Sequence, residues 1–232
     1  MRRHEKSTVV DRYTTGARIN HWITAGTLIL LALSGFALFH PSLFFLTTLF
    51  GGGQWTRILH PFLGVVLVVS FLGLFLRFVR YNFPNIDDVR WLARIRSVIS
   101  GDEERLPEIG RYNAGQKFVF WAMTLLITVL VLSGIGLWDT YFAHLLTIEP
   151  KRWAAVLHAG AAVCIVLVWI LHVYAAIWVR GTVRAMMRGS VTGGWAWRHH
   201  RKWLRQEVKD GEHVHGGTAR HATAANPRAA AE

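Results

Sequence analysis

The sequence holds a single cysteine, Cys164, which excludes an intramolecular disulfide and any cluster or zinc finger held by several cysteines. As a small residue inside an apolar run, Cys164 fits a packing role and needs no other. Acidic residues are scarce, 14 against 26 Lys and Arg, and four long stretches have no Lys, Arg, Asp or Glu at all. They run from Trp22 to Phe39, Ile58 to Leu76, Phe118 to Trp138 and Trp153 to Val179.

What fills those stretches is apolar. A 232-residue chain that is 52% hydrophobic, with 11 Trp, is too greasy for an ordinary soluble domain. A helix needs roughly 20 residues to cross the hydrocarbon core of a bilayer. The expected fold is therefore an all-α membrane protein, a bundle of four transmembrane helices over 20–40, 57–80, 114–138 and 152–180. The first stretch follows basic residues, as a signal peptide does. Its length and the want of a small-residue cleavage site after Phe39 make it a retained helix.

Positive charge is retained on the cytoplasmic side of a membrane, so its distribution gives an orientation. Five Lys and Arg precede the first span, eight lie between Arg77 and Lys117, and ten lie from Arg180 onward. The two remaining connections share three: Arg57, Lys151 and Arg152. Both termini and the middle connection are expected in the cytoplasm. The formal charge of +12 is then largely a matter of topology and attraction to anionic lipid, with little to recommend nucleic acid as a partner.

Residues 1–205 read as one four-helix domain and 206–232 as a polar tail. The tail ends in "HGGTARHATAANPRAAAE", a composition that cannot build a core and reads as disordered. Its His213, His215 and His221 show no ligand spacing. In the middle connection, "NIDDVRWLARIRSVI" places Ile86, Val89, Leu92, Ile95 and Val98 three apart with charges between them. That pattern suits a short helix on the membrane surface, or equally a partner's docking face.

Two imidazoles interrupt the last apolar stretch. His158 and His172 are fourteen residues apart, roughly 21 Å along a helix and within about 40° of the same direction. His21, in "RINHW", lies at the cytoplasmic mouth of the first span, and His60, in "RILHPFLG", at the opposite mouth of the second. Depth sorts the four into an inner pair, His21 with His172, and an outer pair, His60 with His158. Two neutral imidazoles from different helices at one level supply both axial positions of a haem iron. A haem so filled suits electron transfer rather than oxygen chemistry, and two such haems span a membrane. Each histidine taken alone is equally a hydrogen-bond partner between helices. His40 and His144 sit at loop ends without a partner at their depth.

Gly35 in "LALSGF" and Gly134 in "VLSGIG" recur at similar places, and "LHPFLG" and "LHAGAA" open the second and fourth spans, which hints at a duplicated hairpin. Such glycines admit a flat macrocycle or simply close helix packing. Arg57, Lys151 and Arg152 on one side, and Arg18 and Lys117 on the other, can pair with haem propionates or snorkel at the membrane edge. In "GRYNAGQKFVFW", Asn113 and Gln116 offer amide groups beside Gly115 among aromatics, as a quinone head requires. Capping of the third span by Asn113 explains the same residues.

Taken in order, "RINHW", "RILHPF", "RYNAGQK", "LHAGAA" and "ILHVYAAIWVRG" resemble the membrane-anchored gamma subunit of respiratory formate dehydrogenase, a four-helix dihaem cytochrome b. The likeness runs from about Arg12 to Arg205, and the tail beyond it departs from the pattern. It implies two haem b groups, with His60 and His158 as the periplasmic ligands and His21 and His172 as the cytoplasmic ones. Menaquinone or ubiquinone would be reduced near the second haem, at Asn113, Gln116 and His172. The implied partners are an iron-sulfur beta subunit and, through it, a molybdenum or tungsten formate dehydrogenase alpha subunit. Electrons from formate would cross to the quinone, whose protons come from the cytoplasm. This chain alone would hold no site for formate. Two other readings remain open: a dihaem cytochrome b serving another periplasmic oxidoreductase such as a nickel-iron hydrogenase, and a four-helix proton or metal transporter.

Overall fold

A computed structural model of the chain describes residues 8–101, 106–142, 144–210 and 214–215. His213 and His221 of the tail lie outside them. Ten α-helices are present among the described residues: α1 (Thr15–Phe39), α2 (Gly53–Phe78), α3 (Ile86–Leu92), α4 (Ile95–Ser100), α5 (Ala114–Leu137), α6 (Asp139–Phe142), α7 (Ile148–Trp178), α8 (Thr182–Arg188), α9 (Gly193–His199) and α10 (Arg201–Asp210). Four of them, α1, α2, α5 and α7, are long and apolar enough to cross a membrane. The two longest start earlier than their charge-free stretches. Helix α7 opens on Glu149, which the helix dipole favours, and Pro150, whose missing N–H has no partner in a first turn anyway.

The chain divides into two compact units. The first, Ile19–Arg80 and Phe118–Ala175, carries the bodies of the four long helices. Its centre is Leu67, Ile127 and Ile165, from α2, α5 and α7, packed on by Leu28 and Leu31 of α1. Large apolar side chains such as Val69, Leu125, Leu132 and Leu167 point outward instead, the arrangement hydrocarbon permits and water penalises. Hydroxyls inside this unit are satisfied by their own helices. Thr24, Ser70 and Thr124 each donate to a carbonyl three or four residues back. A 3-10 helix over Pro41–Phe50 connects α1 to α2, its start capped by His40, whose ring accepts from the Ser42 N–H. His144 is an exposed turn residue.

The second unit, the described residues of Met1–Arg18, Tyr81–Lys117 and Ala176–Glu232, is polar and contains structure that periodicity did not announce. Three short strands, β1 (Val9–Asp11), β2 (Ser190–Thr192) and β3 (Val214–His215), form an antiparallel sheet in the order β2-β1-β3. Val10, Ala185, Val191, Ala196 and Trp203 make its core. Helix α10 runs through Gln206 to Asp210, so helical structure continues past the boundary expected at 205. The single amphipathic helix expected after Asn85 is two, with a turn at Ala93–Arg94, and Ile86, Val89, Leu92 and Ile95 stay exposed. Asn85 caps α3 by accepting from the Asp87 and Asp88 N–H groups, while Asp88 reaches back to the Asn85 N–H. Lys117 of α5 donates to the same Asp88 carboxylate at 2.7 Å and to the Phe83 carbonyl at 3.0 Å, which ties the middle connection to the start of α5.

Candidate functional site: two histidine pairs

All four intramembrane histidines belong to the apolar unit. His21 stands on the first turns of α1, His60 on α2, and His158 and His172 on α7. The 3.6-residue period of α7 brings its two imidazoles out on one side, and each meets an imidazole from another helix. The His60 and His158 ring centroids are 6.2 Å apart with the planes at 67°. Those of His21 and His172 are 6.3 Å apart at 50°. Each ring is half-buried.

These separations are too long for a direct hydrogen bond between the rings, and they have the length of an interposed metal. Two metal–imidazole bonds of about 2 Å, made in line through one ion, set ring centroids roughly 6 Å apart. A bare ion would lack ligands there, because the described residues hold no group of three or more His, Cys, Asp or Glu able to bind a metal. An ion that brings ligands of its own, as haem iron does, would need from the protein no more than the two imidazoles of such a pair.

The surroundings of the His60 and His158 rings favour ligation through Nε2. Ser34 Oγ lies 2.8 Å from His60 Nδ1, and Ser133 Oγ lies 3.0 Å from His158 Nδ1. Each serine is followed by a glycine that faces the imidazole, tightly only at Gly134. A methyl group on Gly35 would come 3.5 Å from His60 Cε1, and one on Gly134 would come 3.3 Å from His158 Cε1. The repeated "LSG" of α1 and α5 is thus a repeated seat for an imidazole, which is what the suspected duplication consists of. His21 differs: its Nδ1 is buried without a hydrogen-bond partner, and its ring meets Trp22 edge-on at 5.3 Å.

With this geometry the comparisons with known proteins agree. The sequence profile of the family described as prokaryotic cytochrome b561 matches residues 12–189. The chain belongs to the prokaryotic cytochrome b561 family. This cytochrome is 44% identical over 207 residues to the formate dehydrogenase cytochrome b556(fdo) subunit of Escherichia coli strain K12, covering 89% of this chain and 97% of the relative. It is 38% identical over 204 residues to the nitrate-inducible formate dehydrogenase cytochrome b556(Fdn) subunit of the same strain, covering 88% and 94%. The formate dehydrogenase cytochrome b556 subunit of Haemophilus influenzae is 36% identical over 201 residues, covering 87% and 84%. Membership implies haem b as the cofactor, and the paired imidazoles fit it.

The other candidates of the cytochrome fall out unevenly. Asn113 and Gln116 form a reciprocal cap at the start of α5: Asn113 Oδ1 accepts from the Gln116 N–H at 2.9 Å, and Gln116 Oε1 from the Asn113 N–H at 3.0 Å. A methyl group on Gly115 would come 3.4 Å from Asn113 Oδ1 and from the Trp91 ring. Asn113, Trp91, Asp88 and Lys117 share a cavity of about 580 Å³ with Arg111 and Glu207, a lining more charged than an apolar slot. Of the cations considered for propionates, Lys117 is paired with Asp88, Lys151 with Asp139, and Arg18 donates to the Met187 carbonyl and to Thr15. Arg57 and Arg152 are exposed.

Sequence reasoning missed a buried cluster in the polar unit. Arg12, only 3% exposed, lies 4.7 Å from the Trp203 ring and 5.1 Å from the Trp195 ring. Its Nη2 donates to the Arg111 carbonyl at 2.7 Å and to His200 Nε2 at 3.3 Å, while the His200 Nδ1–H donates to the Gly110 carbonyl at 2.8 Å. Burial, followed by the Arg12 charge, holds the His200 imidazole well below its ordinary value, so it is neutral. The only signal in the sequence was two consecutive histidines among tryptophans, a pattern with many readings.

Proposed function

We propose that this cytochrome is the membrane subunit of a formate dehydrogenase, carrying electrons between an iron-sulfur subunit and a quinone. The observation that carries the reading is the pair of imidazole pairs, each at the spacing of a hexacoordinate haem and both anchored on α7. The names of its relatives, matched nearly end to end, supply the partner enzyme. Bound there, two b haems supply one-electron carriage from one membrane face to the other.

In this reading His60 and His158 hold the periplasmic haem and His21 and His172 the cytoplasmic one, with both termini in the cytoplasm of a bacterial inner membrane. The basic residues before Arg18, between Arg77 and Lys117 and after Arg180 favour that orientation. The alpha and beta subunits stand in the periplasm, where formate is oxidised. Menaquinone or ubiquinone is the acceptor, reduced on the cytoplasmic side. Asn113, Gly115 and Gln116 are its candidate seat: the cap uses the two side-chain oxygens and leaves the amide nitrogens to donate to quinone carbonyls. Releasing formate's proton on one side and taking up quinone protons on the other builds a proton-motive force without a pump.

The spacing and chemistry of the pairs weigh against a metal transporter, which needs more ligands than two imidazoles. Membranes containing the cytochrome should show reducible b-type bands at two haems per chain, and an absence of haem would refute the reading. Adding formate or H₂ to the intact complex tests the partner. Reduction by formate supports it, and reduction by H₂ alone moves the cytochrome to a hydrogenase.

A further inference from the structure

The two histidine pairs are not equivalent in what touches them, and the difference has a redox consequence. Ser34 is fully buried, and its hydroxyl sits 2.8 Å from the Leu30 carbonyl of its own helix as well as 2.8 Å from His60 Nδ1. A serine has one hydroxyl proton, and a carbonyl oxygen can only accept. Both contacts are satisfied together in one arrangement: Ser34 donates to Leu30, and His60 donates its Nδ1–H to Ser34. Ser133 repeats it. Its hydroxyl lies 2.6 Å from the Val129 carbonyl and 3.0 Å from His158 Nδ1. The proton is thereby fixed on Nδ1 of both rings, and both Nε2 lone pairs are left for iron.

An imidazole that donates its second N–H to an acceptor is a stronger donor to a metal, and stronger axial donation favours ferric over ferrous iron. His21 has no such acceptor at its Nδ1. Resting on the haem reading above, we propose that Ser34 and Ser133 are positioning residues that set the redox order of the two sites. Their hydroxyls make the His60–His158 haem the lower-potential one, so that electrons are favoured to pass from it toward His21 and His172.

The test is a potentiometric titration of the purified intact complex, with optical and electron paramagnetic resonance detection. The signal of the His60–His158 haem is identified as the one missing in His158→Ala. Wild-type protein with two haems, the His60–His158 haem having the lower midpoint, is the expected starting point; haem-free wild type would instead sink the haem reading itself. Ser34→Ala should keep both haems, raise the midpoint of the His60–His158 haem, shift its g values and leave the other haem unmoved. Ser133→Ala should do the same. Ser34→Thr, which keeps the hydroxyl, should restore the wild-type midpoint. A wild-type order opposite to this one, or an unmoved midpoint in Ser34→Ala with both haems bound, overturns the proposal. Should Ser34→Ala lose a haem, Ser133→Ala decides: a raised midpoint supports the proposal and an unmoved one overturns it. Should both alanine variants lose a haem, recovery of haem at the native midpoint in the threonine variants supports it, and failure to recover overturns it.

Discussion

The two units of this chain bury polar groups in opposite ways. In the apolar unit they are uncharged: hydroxyls such as Ser34 and Ser133 bond to their own helix and to an imidazole, His21 Nδ1 has no hydrogen-bond partner, and the four half-buried rings stand in two pairs with centroids 6.2 and 6.3 Å apart. In the polar unit they are charges and a neutral histidine, and they close on one another: Asp88 with Lys117, Arg12 with His200 and the faces of Trp195 and Trp203. The first presents imidazoles in pairs that suit a haem. The second pairs its charges chiefly with groups of the protein itself, so its members act on stability.

Substitutions should separate along that line. The largest effect is expected from His60→Ala or His158→Ala, either of which should remove one of two haems and half the reducible b-type absorbance while leaving the second haem in place. His172→Ala should remove the other haem and quinone reduction with it. Loss of both haems from any single substitution would break the assignment of independent pairs.

In the polar unit, Lys117→Met leaves the Asp88 carboxylate buried without its cation and should cost about 3–5 kcal/mol, read as earlier unfolding in detergent with two haems still bound before the transition. Haem loss from the folded variant would blur the contrast between the units.

His200 gives a smaller and pH-dependent effect. Its folded form resists protonation, whereas the unfolded chain takes up a proton near the ordinary value of 6.5. Stability is therefore complete above that value and declines as pH falls through it. An apparent melting temperature followed downward from neutral pH should fall in the wild type, and less steeply in His200→Gln. Equal slopes would show that this imidazole is not what titrates.

The smallest effect concerns the two glycine seats. An added methyl in Gly134→Ala comes to 3.3 Å of His158 and should cost about 1 kcal/mol with a small shift of the haem bands. Gly35→Ala comes to 3.5 Å of His60, ordinary contact, and should be neutral or slightly stabilising because alanine favours a helix by about 1 kcal/mol over glycine. Thermal unfolding and a band position read both.

Much of the apolar unit was legible because its rules are local. A charge-free run of membrane length has to be a helix, and fourteen residues on one helix fix how far apart and on which side two side chains stand. The same rules fail in the polar unit. Strands of two and three residues carry no period to read, and the Arg12–His200 contact joins residues 188 apart. Of the row expected after Asn85, Ile86, Val89, Leu92 and Ile95 are exposed, whereas Val98 packs on Trp91, Ile109 and Ala114, and the pattern missed the turn at Ala93–Arg94 that divides it.

By itself the sequence determined the four spans, the four histidines that share depths in pairs and the distribution of positive charge, because length, helical period and the cost of burying charge in lipid act on neighbouring residues. Only the tertiary structure decided which hydroxyl meets which imidazole. Ser34 faces His60 and Ser133 faces His158 through the rotation of each helix about its own axis, a quantity that packing between helices sets and no local pattern records.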